Sequence, residues 1–258
     1  MASERWTEEE TKLALFLYFQ LPFGKLHRGT PEIQQLANAI GRTHSSVAMK
    51  LSNLASFDPS IISSGRKGLD GASKLDRQVF ERFVNDWEGL LSETDKLWET
   101  IVADGDSAQV KEDRSTFNFE YYSDHDSTER LVDQRVGQSF FRRAVLANYD
   151  DRCCITGISD RRFLNASHIK PWADDLENRH NPANGIALSP TFDRAFDRGL
   201  MTIEADGRVL MSQQLISHDH TATREYFQKY HTRVIHFPTK FPLNAEFLDW
   251  HKRNLFAN

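Results

Sequence analysis

Four residues set the chemical question: His168, Asn184, Asp193 and Asp197. The two aspartates stand one helical turn apart in Phe-Asp-Arg-Ala-Phe-Asp-Arg, residues 192–198. Like charges at that spacing repel, and the second lies near a helix C-terminus, where the dipole disfavours an anion. Either the neighbouring Arg194 and Arg198 compensate, or both carboxylates hold a cation. An imidazole such as that of His168 titrates near neutral pH and can move a proton there.

The surrounding pattern predicts strand, loop, strand, helix across residues 162–199. His168 falls near the end of a strand in FLNASHI, and Asn184 opens a second strand, NGIAL. Ser189-Pro190 starts a helix and Gly199 ends it. Upstream, QSFFRRAVLANYDDRC is an amphipathic helix leading to a short strand at CCIT. Downstream, LMTIEADGRVLMS is a hairpin around Asp206-Gly207.

The first segment reads as three helices. Thr7 to Glu10 forms a capping box, and the apolar run ALFLYFQLPF follows. Thr30-Pro31 opens a second helix closed by Gly41, and Thr43 caps a third. Residues 58–76 have the Ser/Gly/Asp content of a linker. A helix is expected around 75–100, and acidic loop over 102–128. The expected division is a helical module at 1–57, a linker and acidic connector at 58–128, and a catalytic domain at 129–258.

The order Ala-x-His-Ile-x-Pro-Trp, then Asn-Gly, then a helix ending Phe-Asp-x-Gly resembles the HNH nucleases of the ββα-metal superfamily, in their restriction-endonuclease-like branch. The likeness covers roughly residues 129–212. It implies an α+β chain whose C-terminal domain hydrolyses DNA phosphodiesters with Mg²⁺ or Mn²⁺, in restriction or phage defence. It also implies roles: His168 as general base, Asn184 bracing the loop that orients it, Asp193 as metal ligand and Asp197 as a further ligand. Arg142, Lys170, Arg194 and Arg198 would meet the DNA backbone. One position departs from the pattern. Many relatives carry Asp or His just before the catalytic histidine; here it is Ser167. The alternative is therefore a non-catalytic DNA-binding regulator with a degenerate HNH fold.

RWTEEE followed by IGRTHSSVAMKLSNL is similar to Myb/SANT-like helix-turn-helix domains. By that likeness the third helix would show His44, Lys50 and Asn53, with Arg42 and Thr43 at its start, to DNA. The competing reading is a helical protein-interaction module.

Taken singly, each feature has a bland explanation: a surface histidine, an Asn-Gly turn, and aspartates paired with adjacent arginines for a few tenths of a kcal/mol. Together and in order they favour an active site. Composition is compatible with this. The chain carries 39% hydrophobic residues and a net charge of −5. Residues 1–80 have 10 Lys/Arg against 8 Asp/Glu, residues 81–130 have 5 against 14, and residues 131–258 have 17 against 15. Acidity is concentrated in the middle, which leaves the ends able to meet DNA. Two adjacent cysteines exclude a disulfide framework and a four-cysteine zinc site within one chain. They suit a reducing, cytoplasmic setting, and no apolar run is long enough to span a bilayer. A homodimer would let a site that cuts one strand cut both.

Overall fold

The computed structural model describes residues 5–104 and 129–257, arranged as two compact units that divide between Phe140 and Phe141. In the first unit, α1 (Glu8–Gln20) begins with the expected capping box. Glu10 N–H donates to Thr7 Oγ1 (3.2 Å), and Thr7 N–H donates to Glu10 Oε2 (2.9 Å). Residues 11–20 are all buried, as suits a helix that is apolar around its circumference and surrounded by others. Packed on it are α2 (Pro31–Ala39), α3 (His44–Ala55), α5 (Lys74–Phe83) and α6 (Trp87–Asp104), with a short α4 (Pro59–Ser63) between. Gly41, at φ 67°, turns α2 into α3. Arg42 N–H returns to Ala37 O (2.8 Å) and Gly41 N–H to Asn38 O (3.4 Å), a Schellman closure.

Two expectations change here. The region 58–104 is not a linker and separate connector: α5 and α6 lie against α1, and Phe19 meets the ring of Trp87 edge-on at 5.1 Å. The single helix expected near 75–100 is broken after Phe83, where Asp86 instead accepts from Gly89 N–H (2.9 Å). The acidic loop expected at 102–128 lies almost wholly outside the described residues.

A long helix, Glu129–Asn148, leads into the second unit. Strands β1 (Asn165–His168) and β2 (Gly185–Leu188) pair antiparallel, with His168 opposite Gly185. The helix Pro190–Asp197 packs on both, completing a strand–strand–helix unit. Cys153 and Cys154 are buried as expected but lie in a turn rather than a strand. The hairpin β3 (Met201–Ile203) and β4 (Val209–Met211) turns at Gly207, φ 81°. A C-terminal helix, Ala245–Asn254, packs on β3.

Gly185 has an extended backbone and is needed for proximity, not for a turn. A Cβ there would lie 2.2 Å from Val145 Cγ2 and 2.8 Å from Phe141 Cζ. Gly199 is needed for both reasons. It sits at φ 66°, and a Cβ would come within 1.8 Å of the Leu255 carbonyl oxygen, while Ala257 N–H donates to Gly199 O (2.8 Å). Left-handed strain and overpacking add, so Gly199→Ala is expected to cost roughly 2–5 kcal/mol. Denaturant unfolding of the full chain reads this as an earlier transition.

Candidate active site

The strand–strand–helix unit encloses one side of a cleft of about 560 Å³, lined among others by Arg142, Asn165, Ser167, His168, Asp193, Asp197 and His251. His168 comes from the last position of β1 and the aspartates from one face of the 190–197 helix. The pattern read from sequence therefore brings His168, Asp193 and Asp197 to one concavity.

The His168 ring is fixed on two sides. It stacks on Phe141 at 3.8 Å between centroids and 4° between planes, and Trp172 meets it edge-on at 5.8 Å. Its Nε2 lies 2.9 Å from the Arg179 carbonyl oxygen. A carbonyl cannot donate, so Nε2 carries the proton and Nδ1 is left with its lone pair. Burial holds the His168 pKa below 6.5, with nearby His180 acting in the same direction, against the bond to Arg179. The ring is thus neutral at physiological pH, in the tautomer that can accept a proton through Nδ1.

Asn184 is fully buried and braces the loop between the strands. Lys170 N–H donates to its Oδ1 (2.8 Å), and its Nδ2 donates to Lys170 O (3.1 Å) and Asn178 O (3.3 Å). It occupies the turn just before β2 rather than the first strand position. That loop carries Arg179, whose carbonyl oxygen meets His168 Nε2.

The two aspartates do not pair with their neighbouring arginines. Arg194 and Arg198 are exposed, and among the described residues no ion pair joins either to Asp193 or Asp197. Asp193 instead accepts from Asn165 Nδ2 at 2.6 Å, a positioning contact with no signal in the sequence pattern. Asp197 is open on its solvent side. Partial burial of its carboxyl end, then the like charge of Asp193, hold its pKa above the ordinary carboxylate value, against the arginine charges and nearby Ser167. Ser167 Oγ is buried and close enough to Asp197 to be felt by it, but makes no hydrogen bond of good geometry. A carboxylate whose proton affinity is raised partly by a neighbouring like charge is a place where a cation relieves repulsion.

Residues 153–204 match the family model for HNH endonucleases. The second unit carries an HNH domain. No curated protein matches the chain. The HNH match spans the buried cysteines, β1, β2, the aspartate helix and β3. It begins after Arg142 and ends before His251, two residues that also line the cleft.

Fewer of the other expected contacts are available. Lys170 is paired with Asp175 at 3.0 Å and sits 5.9 Å from the Trp250 ring, so its charge is engaged within the HNH domain. Arg142 remains in the cleft, anchored through Nη2 to Leu164 O (2.8 Å) and Arg161 O (3.3 Å). In the first unit the proposed recognition face is largely internal. Lys50 is 5% exposed and paired with Asp76, under the ring of Trp6. Asn53 is also buried, and Arg42 is held by both Glu10 oxygens at 2.8 Å. Thr43 caps α3 by accepting from Ser46 N–H, and His44 bonds Asn38 at 3.1 Å. The reason is tertiary: residues 68–71 lie over α3, with Leu69 N–H donating to Ser52 O (3.2 Å) and Asn53 Nδ2 to Gly71 O (3.4 Å). Lys50 and Asn53 are therefore unavailable to DNA in this fold.

His251 was not evident from the sequence. It stacks on Phe196 at 3.7 Å, donates through Nε2 to Phe196 O (3.1 Å) and accepts from the Thr202 hydroxyl at Nδ1 (2.9 Å). Burial pushes its pKa down to about 4. In the unfolded chain this residue titrates near the usual 6.5, so it binds a proton between the two values that the fold excludes. Its contribution to stability is complete above about pH 6.5 and is lost as pH falls towards 4, by about 3 kcal/mol. Denaturant titrations across that interval should show wild type losing about that much more stability than His251→Gln.

Proposed function

We propose that the HNH domain hydrolyses DNA phosphodiester bonds with a divalent cation, and that His168 is the general base. The observation carrying this reading is the neutral His168 ring, its Nε2 tied to Arg179 O, in one cleft with Asp193 and Asp197. Nδ1 takes a proton from a water as its oxygen bonds to phosphorus. The bond from phosphorus to the 3′ oxygen breaks, solvent protonates that oxygen, and the products are a 3′-hydroxyl and a 5′-phosphate.

The donor set fits Mg²⁺ or Mn²⁺. Among the described residues no group of three or more His, Cys, Asp or Glu is placed to hold a metal ion. Two carboxylates in an open cleft suit an ion that keeps water and phosphate oxygens in its shell. Asp193 and Asp197 would hold it, and when bound it supplies positive charge to the reacting phosphate. Asn165 keeps Asp193 aimed, and Arg142 offers its guanidinium to a phosphate oxygen. Arg194 and Arg198, exposed on the same helix, meet the flanking backbone.

Metal-dependent cleavage of supercoiled plasmid, unmodified and base-modified, tests this. Asp193→Asn should lower the rate by roughly 10²-fold or more, the scale on which removing one electrostatic stabiliser of a transition state slows a reaction. Labelled ends should carry 5′-phosphate. Cleavage that survives chelation, or leaves 3′-phosphate, would refute the scheme. The resemblance to restriction-type HNH enzymes supports a cytoplasmic role in restriction or phage defence, with two copies cutting both strands.

Ser167 favours a second reading. With a buried hydroxyl where an acid or imidazole ligand would stand, the domain could retain DNA binding without chemistry. Binding without nicking in any divalent metal would establish that alternative.

A further inference from the structure

Folding sorts the cations of the first unit. Lys12 is paired with Glu8 (2.7 Å), Arg42 with Glu10 (2.8 Å), Lys50 with Asp76, and Arg77 with Glu81 (3.3 Å). These pairs use charges on the helices internally. Of the cations outside these pairs, Arg28, Arg66 and Lys67 lie on two short stretches of chain. Residues 21–31 contain Lys25, His27 and Arg28 with no Asp or Glu, and residues 59–69 contain Arg66 and Lys67 with no Asp or Glu. The loops meet, because the Arg66 guanidinium lies 5.5 Å over the Phe23 ring. Phe23 begins the 3₁₀ turn Phe23–Lys25, and Leu26 and Thr30 N–H bond back within the same compact stretch. Arg28, Arg66 and Lys67 are all exposed and, among the described residues, none is in an ion pair. The carboxylates flanking these stretches in sequence are Glu32, Asp58 and Asp70, and Asp58 is buried and accepts from the Tyr18 hydroxyl (2.8 Å).

Resting on the reading of the HNH domain as a DNA nuclease, we infer that this two-loop surface, and not α3, is where the first unit holds nucleic acid. The partner it fits is the phosphate backbone of duplex DNA. Two guanidinium groups and an ammonium contact phosphates without reading bases. The Phe23 ring presets Arg66, which reduces the freedom lost when that side chain binds. The segment that carries Arg66 and Lys67 continues into residues 68–71, which cover α3. One stretch of chain thus closes the expected recognition face and supplies the charges that replace it.

The test is anisotropy of labelled duplex DNA with the full chain carrying His168→Ala, without metal, over a range of salt. Adding Arg28→Ala, Arg66→Ala and Lys67→Ala should weaken binding at least tenfold at low salt. It should also flatten the slope of log affinity against log salt by about 0.9 for each phosphate no longer neutralised. Arg28→Lys with Arg66→Lys keeps the charge and should keep the slope. An unchanged slope and affinity in the triple alanine protein overturns the inference. The nuclease reading is judged separately, by plasmid cleavage with His168 intact. Cleavage with an unchanged slope sinks only the surface, whereas a flattened slope without any cleavage sinks only the nuclease.

Discussion

His168→Ala is expected to lower DNA cleavage by roughly 10²- to 10⁴-fold, the usual contribution of a positioned general base, while DNA binding persists. The ring lies on Phe141 rather than inside a sealed core, and it is partly open to the cleft. Its removal leaves the paired strands, whose register runs through backbone groups. Stability should fall less than activity. His168→Gln isolates the chemistry further: it can preserve a donor to Arg179 O but has no nitrogen lone pair to accept a proton. A glutamine protein as active as wild type would remove His168 from the mechanism.

Asn184→Ala should damage both fold and catalysis. Three hydrogen bonds end on one buried amide, and alanine leaves Lys170 N–H, Lys170 O and Asn178 O without it. At about 1–3 kcal/mol for each buried group left unsatisfied, a loss of roughly 3 kcal/mol or more is expected. Ile169 N–H still donates to the Asn184 carbonyl at 2.9 Å, so the strand junction persists while the loop beyond it loosens. That loop sets the position of Arg179 O, and hence which His168 nitrogen is protonated. Cleavage should therefore fall by more than the folded fraction does, measured by thermal unfolding alongside single-turnover rates. Wild-type turnover in the fraction that remains folded would show that Asn184 supports the fold alone.

What the sequence revealed depended on the range of each signal. Caps, the glycine after the aspartate helix and the Asp206-Gly207 hairpin are local, and each appears where its residue types placed it. His168, Asp193 and Asp197 were legible because their order and spacing over a short span resemble the HNH pattern, which residues 153–204 match. Asn165 was not, since nothing in its neighbourhood points to Asp193 across the sheet-to-helix gap. Lys50 and Asn53 were misplaced for the same reason. Helical spacing identifies one face of α3, but Asp76 and the 68–71 segment decide which face is covered. His251 sits on a helix whose pattern marks it only as inward; its partners Thr202 and Phe196 come from elsewhere in the chain. The short strand expected at CCIT failed because Cys153 and Cys154 bond singly to Ile158 O and Ala187 O and extend no ladder.

The central claim is that a histidine kept neutral by burial is the base. The most direct measurement is the pH dependence of single-turnover DNA cleavage, at saturating metal, for wild type and His168→Ala. The rate of wild type should rise with unit slope and level off, with its midpoint below the ordinary histidine value of about 6.5. The residual rate of His168→Ala should lack that inflection. A wild-type midpoint above that value, or the same inflection in the alanine protein, would contradict the assignment of His168.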